Sequence, residues 1–298
     1  MNISTHSTPH ASGLFSRIPA YLELTKPRVS IMVALTAGAG VFLGSASSSQ
    51  LLLVAWVILA TGLLAGGAAC LNQFLENQPD SLMARTARRP IPSGRIGRVQ
   101  AVVFGLSLSI VGAFLLIIYA NTLATLLGLL TSIIYLLAYT PLKRHSTICT
   151  TVGAVPGAVP PLIGWAAATG SLNSQAWALF LILFLWQYPH FLAIAWLYRD
   201  DYAKAGFKML PMLDVSGKKT SKQVVIFSSL LLVASVLPVY LDLAGKIYLM
   251  GALGLGALQV IVSLQLHRDP STTKARHVLR ASLVYLPILL IFLMIDKI

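Results

Sequence analysis

Acidic residues are scarce in this chain. It has nine Asp and Glu among 298 residues, against 22 Lys and Arg, and charged residues make up only 10%. A soluble globular domain carries about 25% charged residues. A chain with so few cannot cover a water-facing surface, which excludes an ordinary soluble fold. Cysteine is also nearly absent: Cys70 and Cys149 show no paired motif, so neither a disulfide framework nor a zinc site is indicated. What fills the sequence instead is apolar, at 56% hydrophobic residues and a mean hydropathy of +0.78. This composition implies a polytopic membrane protein. The net charge of +13 does not point to nucleic acid, because Lys and Arg of membrane proteins concentrate in cytoplasmic loops.

Apolar runs near residues 29–45, 51–75, 99–119, 122–140, 151–169, 176–197, 223–241, 246–266 and 279–295 are each about long enough to cross a ~30 Å hydrocarbon layer as a helix. The expected fold is all-α, a single bundle of nine transmembrane helices with a cytoplasm-facing polar mouth. A polar segment over 1–28 precedes a membrane domain over 29–298. The start superficially resembles a signal peptide, but its leader is too long, and an uncleaved first span is expected. A mitochondrial presequence is the weaker alternative, with only Arg17 as a cation before Lys26. All Lys and Arg except Lys246 and Lys297 fall in five segments: 1–28, 76–98, 141–150, 198–222 and 267–280. These alternate with connections that carry none. Strict alternation over nine spans places the N-terminus and the charged loops in the cytoplasm and the C-terminus outside, in the cell's inner (cytoplasmic) membrane. Glycines inside the spans, such as Gly66, Gly67, Gly153 and Gly157, suit helices that approach closely in lipid.

The few acids are placed pointedly. Asn72, Glu76 and Asp80 recur every fourth residue at the end of the second run, so a helix would stack them on one face. Pro79 frees the carbonyl of Leu75 and kinks or ends that helix. Arg85, Arg88 and Arg89 follow. Oxygen ligands beside guanidinium forks suit Mg²⁺ and a diphosphate, whereas the plainer reading is a solvated helix end of acid–arginine pairs. A second long loop, after the sixth run, carries Tyr198, Asp200, Asp201 and Tyr202. Its acids either share a metal with the first set or offset Arg199 and Lys204 on a wet surface. The two long charged loops lie four spans apart, as in folds whose site lies between related halves. Lys143 and Arg144, closing the fourth run, either hold a terminal phosphate or only fix topology. His190 lies inside the sixth run, where an ionisable side chain is costly. It suits an axial haem ligand, a proton carrier or an interhelical hydrogen bond. The stretch Val152–Pro161, rich in Gly and Pro, is expected to break the fifth span, which is tolerated where the backbone is buried or lines a cavity.

Together, Asn72-x3-Glu76-x3-Asp80 and Arg85-Thr86-x2-Arg88-Arg89-Pro90 resemble the first signature of the intramembrane UbiA-type prenyltransferase superfamily. Within it, Tyr139–Arg144, Gly164-Trp165, Trp186-Gln187-x-Pro189-His190-Phe191 and Asp201-Tyr202-x2-Ala205-Gly206-x2-Met209-Leu210-Pro211 resemble the haem-farnesylating branch, over nearly all of residues 20–295. The resemblance implies Mg²⁺ as cofactor, farnesyl diphosphate and haem B as substrates, and haem O as product. It further implies a lipid-embedded enzyme feeding a downstream haem A synthase or terminal oxidase. Its expected catalytic residues are Asn72, Glu76, Asp80, Tyr198, Asp201 and Tyr202. Diphosphate falls to Arg85, Arg88, Arg89, Lys143 and Arg144, metal to Asn72, Glu76, Asp80, Asp200 and Asp201, and haem to His190. Two departures stand out. Glu76 replaces the superfamily's usual Asp, and tyrosines 198 and 202 stand where its second pair of acids is expected. A prenyltransferase acting on an aromatic quinone precursor, and a transporter, are the alternative readings.

Overall fold

The structure is a computed structural model that describes residues 14–45 and 50–298, so residues 1–13 of the expected polar N-terminal segment and residues 46–49 lie outside the described residues. Among the described residues nine helices are long and apolar enough to cross a membrane: Pro27–Gly44, Leu51–Leu75, Arg98–Tyr119, Thr122–Leu142, Cys149–Thr169, Ser174–Leu197, Lys218–Tyr240, Lys246–Arg268 and Thr272–Ile295. We number them spans one to nine. Several begin before the apolar run does. Span nine starts at Thr272 and takes in Lys274, Arg276 and Arg280, so part of the basic loop is the helix's own first turns.

A further helix, Leu14–Leu24, precedes span one. The overall polarity of residues 1–28 hides its apolar face, where Ala20 and Leu24 are buried with Cys70, Ile91, Ile96 and Ala101 and Tyr21 meets Phe104 edge-on. Between this helix and span one the chain turns at Lys26, whose φ of 48° lies in the left-handed region. A non-glycine residue there costs roughly 1–2 kcal/mol.

Spans two, three and four pack in sequence, and so do spans six, seven, eight and nine; span one lies against spans two and five. Spans one and five cross at glycines: a Cβ on Gly164 would stand 1.8 Å from the carbonyl oxygen of Ala37, and one on Gly40 would stand 2.2 Å from that of Pro161. Here glycine is required because two backbones touch. Span five is broken, as its Gly/Pro content suggests, into Cys149–Ala158 and Pro160–Thr169. Span four widens into a π-helical turn over Ile134–Tyr139. There Pro141 has no N–H for the carbonyl of Leu137, and the Thr140 hydroxyl donates to the Tyr135 carbonyl at 2.8 Å.

Candidate active site

Span two ends at Leu75, the residue whose carbonyl Pro79 cannot satisfy. A short helix, Asn77–Leu82, restarts beyond Glu76. This joint buries Asn72, Glu76 and Asp80, which are 0%, 6% and 0% exposed. Buried charge requires partners, and each finds one. Glu76 Oε1 accepts from Lys143 Nζ at 2.7 Å. Asp80 Oδ2 accepts from Arg89 Nη1 at 2.6 Å. Asn72 Oδ1 accepts from Lys26 Nζ at 2.8 Å, and its amide donates to Thr140 Oγ1 at 3.0 Å. Thr86 donates to the Asp80 carbonyl at 2.8 Å, which ties the arginine segment to the acid. Asp80 Oδ1 is buried with no hydrogen-bond partner.

The electrostatics follow from this crowding. Burial works against ionised Glu76, but Lys143 and Lys26 outweigh it and hold the carboxyl below its ordinary range. Burial wins at Asp80 and raises its carboxyl in spite of Arg89. It also opposes the charge on Lys143, yet Glu76 holds that ammonium well above its usual value. Lys26 moves the other way: burial, with Arg89 adding to it, brings it down to about 7.

Span four supplies the facing wall. Tyr135, Tyr139 and Lys143 follow the same four-residue spacing as Asn72, Glu76 and Asp80. The Lys143 ammonium sits 4.4 Å from the centroid of the Tyr139 ring. The second loop folds across the same end, its Lys208 N–H donating to the Lys143 carbonyl at 2.7 Å. Met83, Ala205 and Phe207 are buried together. Arg85 lies between two tyrosines, 4.8 Å from the Tyr198 centroid and 5.7 Å from that of Tyr202, whose hydroxyl accepts from it at 3.2 Å.

Two cavities run through this end. The first, about 270 Å³, is the charged mouth, lined by Glu76, Asp80, Arg85, Arg89, Lys143 and Tyr202. The second, about 290 Å³, is an apolar chamber reaching down between spans one, two, four, five and six as far as Thr61, Leu64, Gly128 and Ile163. Lys26, Val29, Tyr135, Tyr139 and Phe191 line both and form the waist between them.

The expected residues divide accordingly. Glu76, Asp80, Arg85, Arg89, Lys143 and Tyr202 are gathered at the mouth, Asn72 stands behind it, and Tyr198 reaches it through Arg85. Arg88 and Arg144 are exposed and line neither cavity. The expected gathering of acids from both loops into one metal site is not found. Among the described residues no three His, Cys, Asp or Glu come together. On the short helix Arg199–Lys204, residues 198 and 202 share a face and position 200 lies opposite. Asp200 is 92% exposed, 3.8 Å from Arg199, and Asp201 is only half-buried. His190 also lies outside both cavities. Its Nδ1 is 2.9 Å from Ser282 Oγ, and its ring stacks on Trp186, which donates to the Ser282 carbonyl. Sequence reasoning missed Lys26 and Tyr135. The four-residue spacing Tyr135–Tyr139–Lys143 was a signal for the tyrosine. Lys26 gave none, since its approach depends on the N-terminal helix and the left-handed turn.

Nine apolar helices among the described residues, five of them walling such a chamber, make up the fold of the UbiA prenyltransferase family. The model of that family matches residues 33–286, and the chain belongs to it. Within the family the chain is similar to the protoheme IX farnesyltransferase of Koribacter versatilis (strain Ellin345). The two are 44% identical over 296 residues, which cover 96% of this chain and 95% of that protein. Among solved structures the fold matches that of a digeranylgeranylglyceryl phosphate synthase, with a TM-score of 0.78 and 20% identity over 94% of this chain and 98% of the other. It also matches a UbiA homolog from Archaeoglobus fulgidus bound to DMAPP and Mg²⁺, with a TM-score of 0.65 and 14% identity over 92% and 99% of the two chains.

Proposed function

We propose that the protein transfers the farnesyl group of farnesyl diphosphate to a vinyl group of haem B, with addition of water, giving haem O. The observation that carries the transfer reaction is the continuity of an apolar chamber with a mouth of paired carboxylates and cations through one aromatic waist. Similarity to protoheme IX farnesyltransferases over nearly the whole chain favours haem as acceptor.

The chamber suits the donor's tail. From Glu76 to Thr61 the helical rise is about 22 Å, and an extended twelve-carbon farnesyl backbone needs roughly 15 Å from its ~1.5 Å bonds. The remainder accommodates the headgroup. At the mouth, Arg89, Arg85 and Lys143 hold the diphosphate. As the C1–O bond breaks, its electron pair leaves with the diphosphate, and these cations face charge that grows in the transition state. The Asp80 Oδ1, buried without a hydrogen-bond partner, is a free oxygen ligand, so Asp80 with Glu76 would hold Mg²⁺. When bound, Mg²⁺ adds positive charge against the departing diphosphate. Tyr135, Tyr139 and Phe191 at the waist present ring faces to the allylic cation and limit the water that would quench it. The vinyl π electrons form the new bond to C1, and water captures the resulting benzylic-type cation with loss of a proton.

The mouth faces the cytoplasm and the C-terminus the outside of the cell's inner membrane, with residues 29–298 acting as one domain and the haem O passing to a downstream oxidase. Incubating the purified protein with farnesyl diphosphate, Mg²⁺ and haem B is expected to give a haem heavier by one farnesyl group and one hydroxyl. An unchanged haem, with a phenolic quinone precursor prenylated in its place, overturns the acceptor assignment.

A further inference from the structure

A third cavity, about 620 Å³, opens beside the mouth between the helix Leu14–Leu24, the start of span one and the arginine segment. Its walls are of two kinds. Pro19, Leu22, Pro27 and Val29 are apolar, while Lys26, Arg28, Arg85 and Arg89 are cationic. Its one acid, Glu23, is held by Arg95 at 2.7 Å. Lys26 and Val29 line this cavity, the charged mouth and the apolar chamber, and no other residue lines all three.

We propose that this third cavity is the acceptor site, binding a flat apolar macrocycle through carboxylates on one edge; the assignment rests on the haem-farnesylating reading above. A reaction that joins a donor carbon to an acceptor carbon must bring both to one point. With the prenyl tail in the chamber and the diphosphate at the mouth, C1 lies at the waist. The third cavity reaches the waist past Lys26 and Val29. That space is larger than either of the others, and a small phenolic acceptor would fill a fraction of it. On its cationic edge, Arg28 matches a propionate, since a guanidinium forks onto a carboxylate, while Lys26, Arg85 and Arg89 also face the donor's mouth. Arg28 lines this cavity and neither of the other two, and it has no acidic partner among the described residues. It is therefore the acceptor's own contact, independent of the donor.

The test compares haem B with its dipropionate dimethyl ester, using full-length wild type, Arg28→Gln and His190→Ala. Binding is followed in the Soret band and turnover by product mass. Arg28→Gln is expected to weaken haem B at least tenfold, in binding and in KM, while the KM for farnesyl diphosphate stays at the wild-type value. The dimethyl ester should bind wild type poorly and be no worse in Arg28→Gln, the non-additivity expected of a direct contact. Leu22→Trp, which fills the apolar wall at an exposed position, should weaken both acceptors. Equal sensitivity of both acceptors to Arg28→Gln, or no sensitivity, overturns the site. So does loss of haem binding in His190→Ala alone, which would place the macrocycle on the Ser282 side. Wild type that binds haem B through Arg28 yet makes no product would refute the reaction and leave the site standing. Product formation indifferent to Arg28 would do the reverse.

Discussion

Lys26 joins two unfavourable features, a left-handed backbone and a half-buried ammonium brought down to about 7. Both are tolerable where an anion will arrive. The sign of the pH effect follows. In the free protein Lys26 is charged below pH 7 and increasingly neutral above it. A bound diphosphate favours the charged form, so binding takes up a proton above pH 7. Affinity for farnesyl diphosphate is expected to be greatest below pH 7 and to fall by up to about tenfold per pH unit as the pH rises through the free-state value. Lys26→Arg, charged throughout, should flatten the profile while keeping affinity. Titrations between pH 7.5 and 9, where the diphosphate ester itself stays ionised, decide it. A wild-type slope retained in Lys26→Arg would remove Lys26 from the donor's headgroup. At this scale the sequence displayed the acids and Arg89 through scarcity and spacing. It could not display Lys26, because its role is made by a helix hidden in a polar-looking segment, nor the outward turn of Asp200.

Among the elements, the crossing of spans one and five holds the chamber in shape. Gly164 and Gly40 let the two backbones touch, and the break at Val159 between the halves of span five leaves Gly153, Pro156, Gly157 and Pro160 lining the apolar space. Gly164→Ala would set a methyl 1.8 Å from a main-chain oxygen, a contact no rotamer change relieves. It is expected to cost at least the ~1–3 kcal/mol of ordinary overpacking. Thermal unfolding in detergent checks this, and Gly254→Ala, with open space around its Cβ, serves as the control. Equal melting of the two variants would refute the close crossing. The span positions and the broken fifth span were legible because hydropathy, glycine and proline act locally. The π-helical turn in span four was not, since the missing N–H of Pro141 does not by itself say whether a helix kinks, ends or widens; the widened form goes with the Thr140 hydroxyl bonding the Tyr135 carbonyl and accepting from Asn72 across the helices.

For the molecule as a whole, the distribution of Lys and Arg supports the proposed orientation, and the carboxylate mouth lies at the end where that charge collects. Reporter fusions in 76–98 and 198–222 are expected to be active only on the cytoplasmic side, and activity outside would invert the assignment. One continuous chamber is proposed to hold the prenyl tail in the bilayer and to present its diphosphate to Arg85, Arg89 and Lys143, beside the Mg²⁺ that Glu76 and Asp80 would hold. The most direct test of this arrangement is turnover of Asp80→Asn against Mg²⁺ concentration, in protein shown to be folded. A loss on the order of a hundredfold or more, realised on the departing diphosphate, is expected, with haem binding little changed. A wild-type dependence on Mg²⁺, with only stability lost, on the scale of the about 3–5 kcal/mol of a broken buried ion pair, would reduce Asp80 to an ion-pair partner of Arg89 and contradict that arrangement.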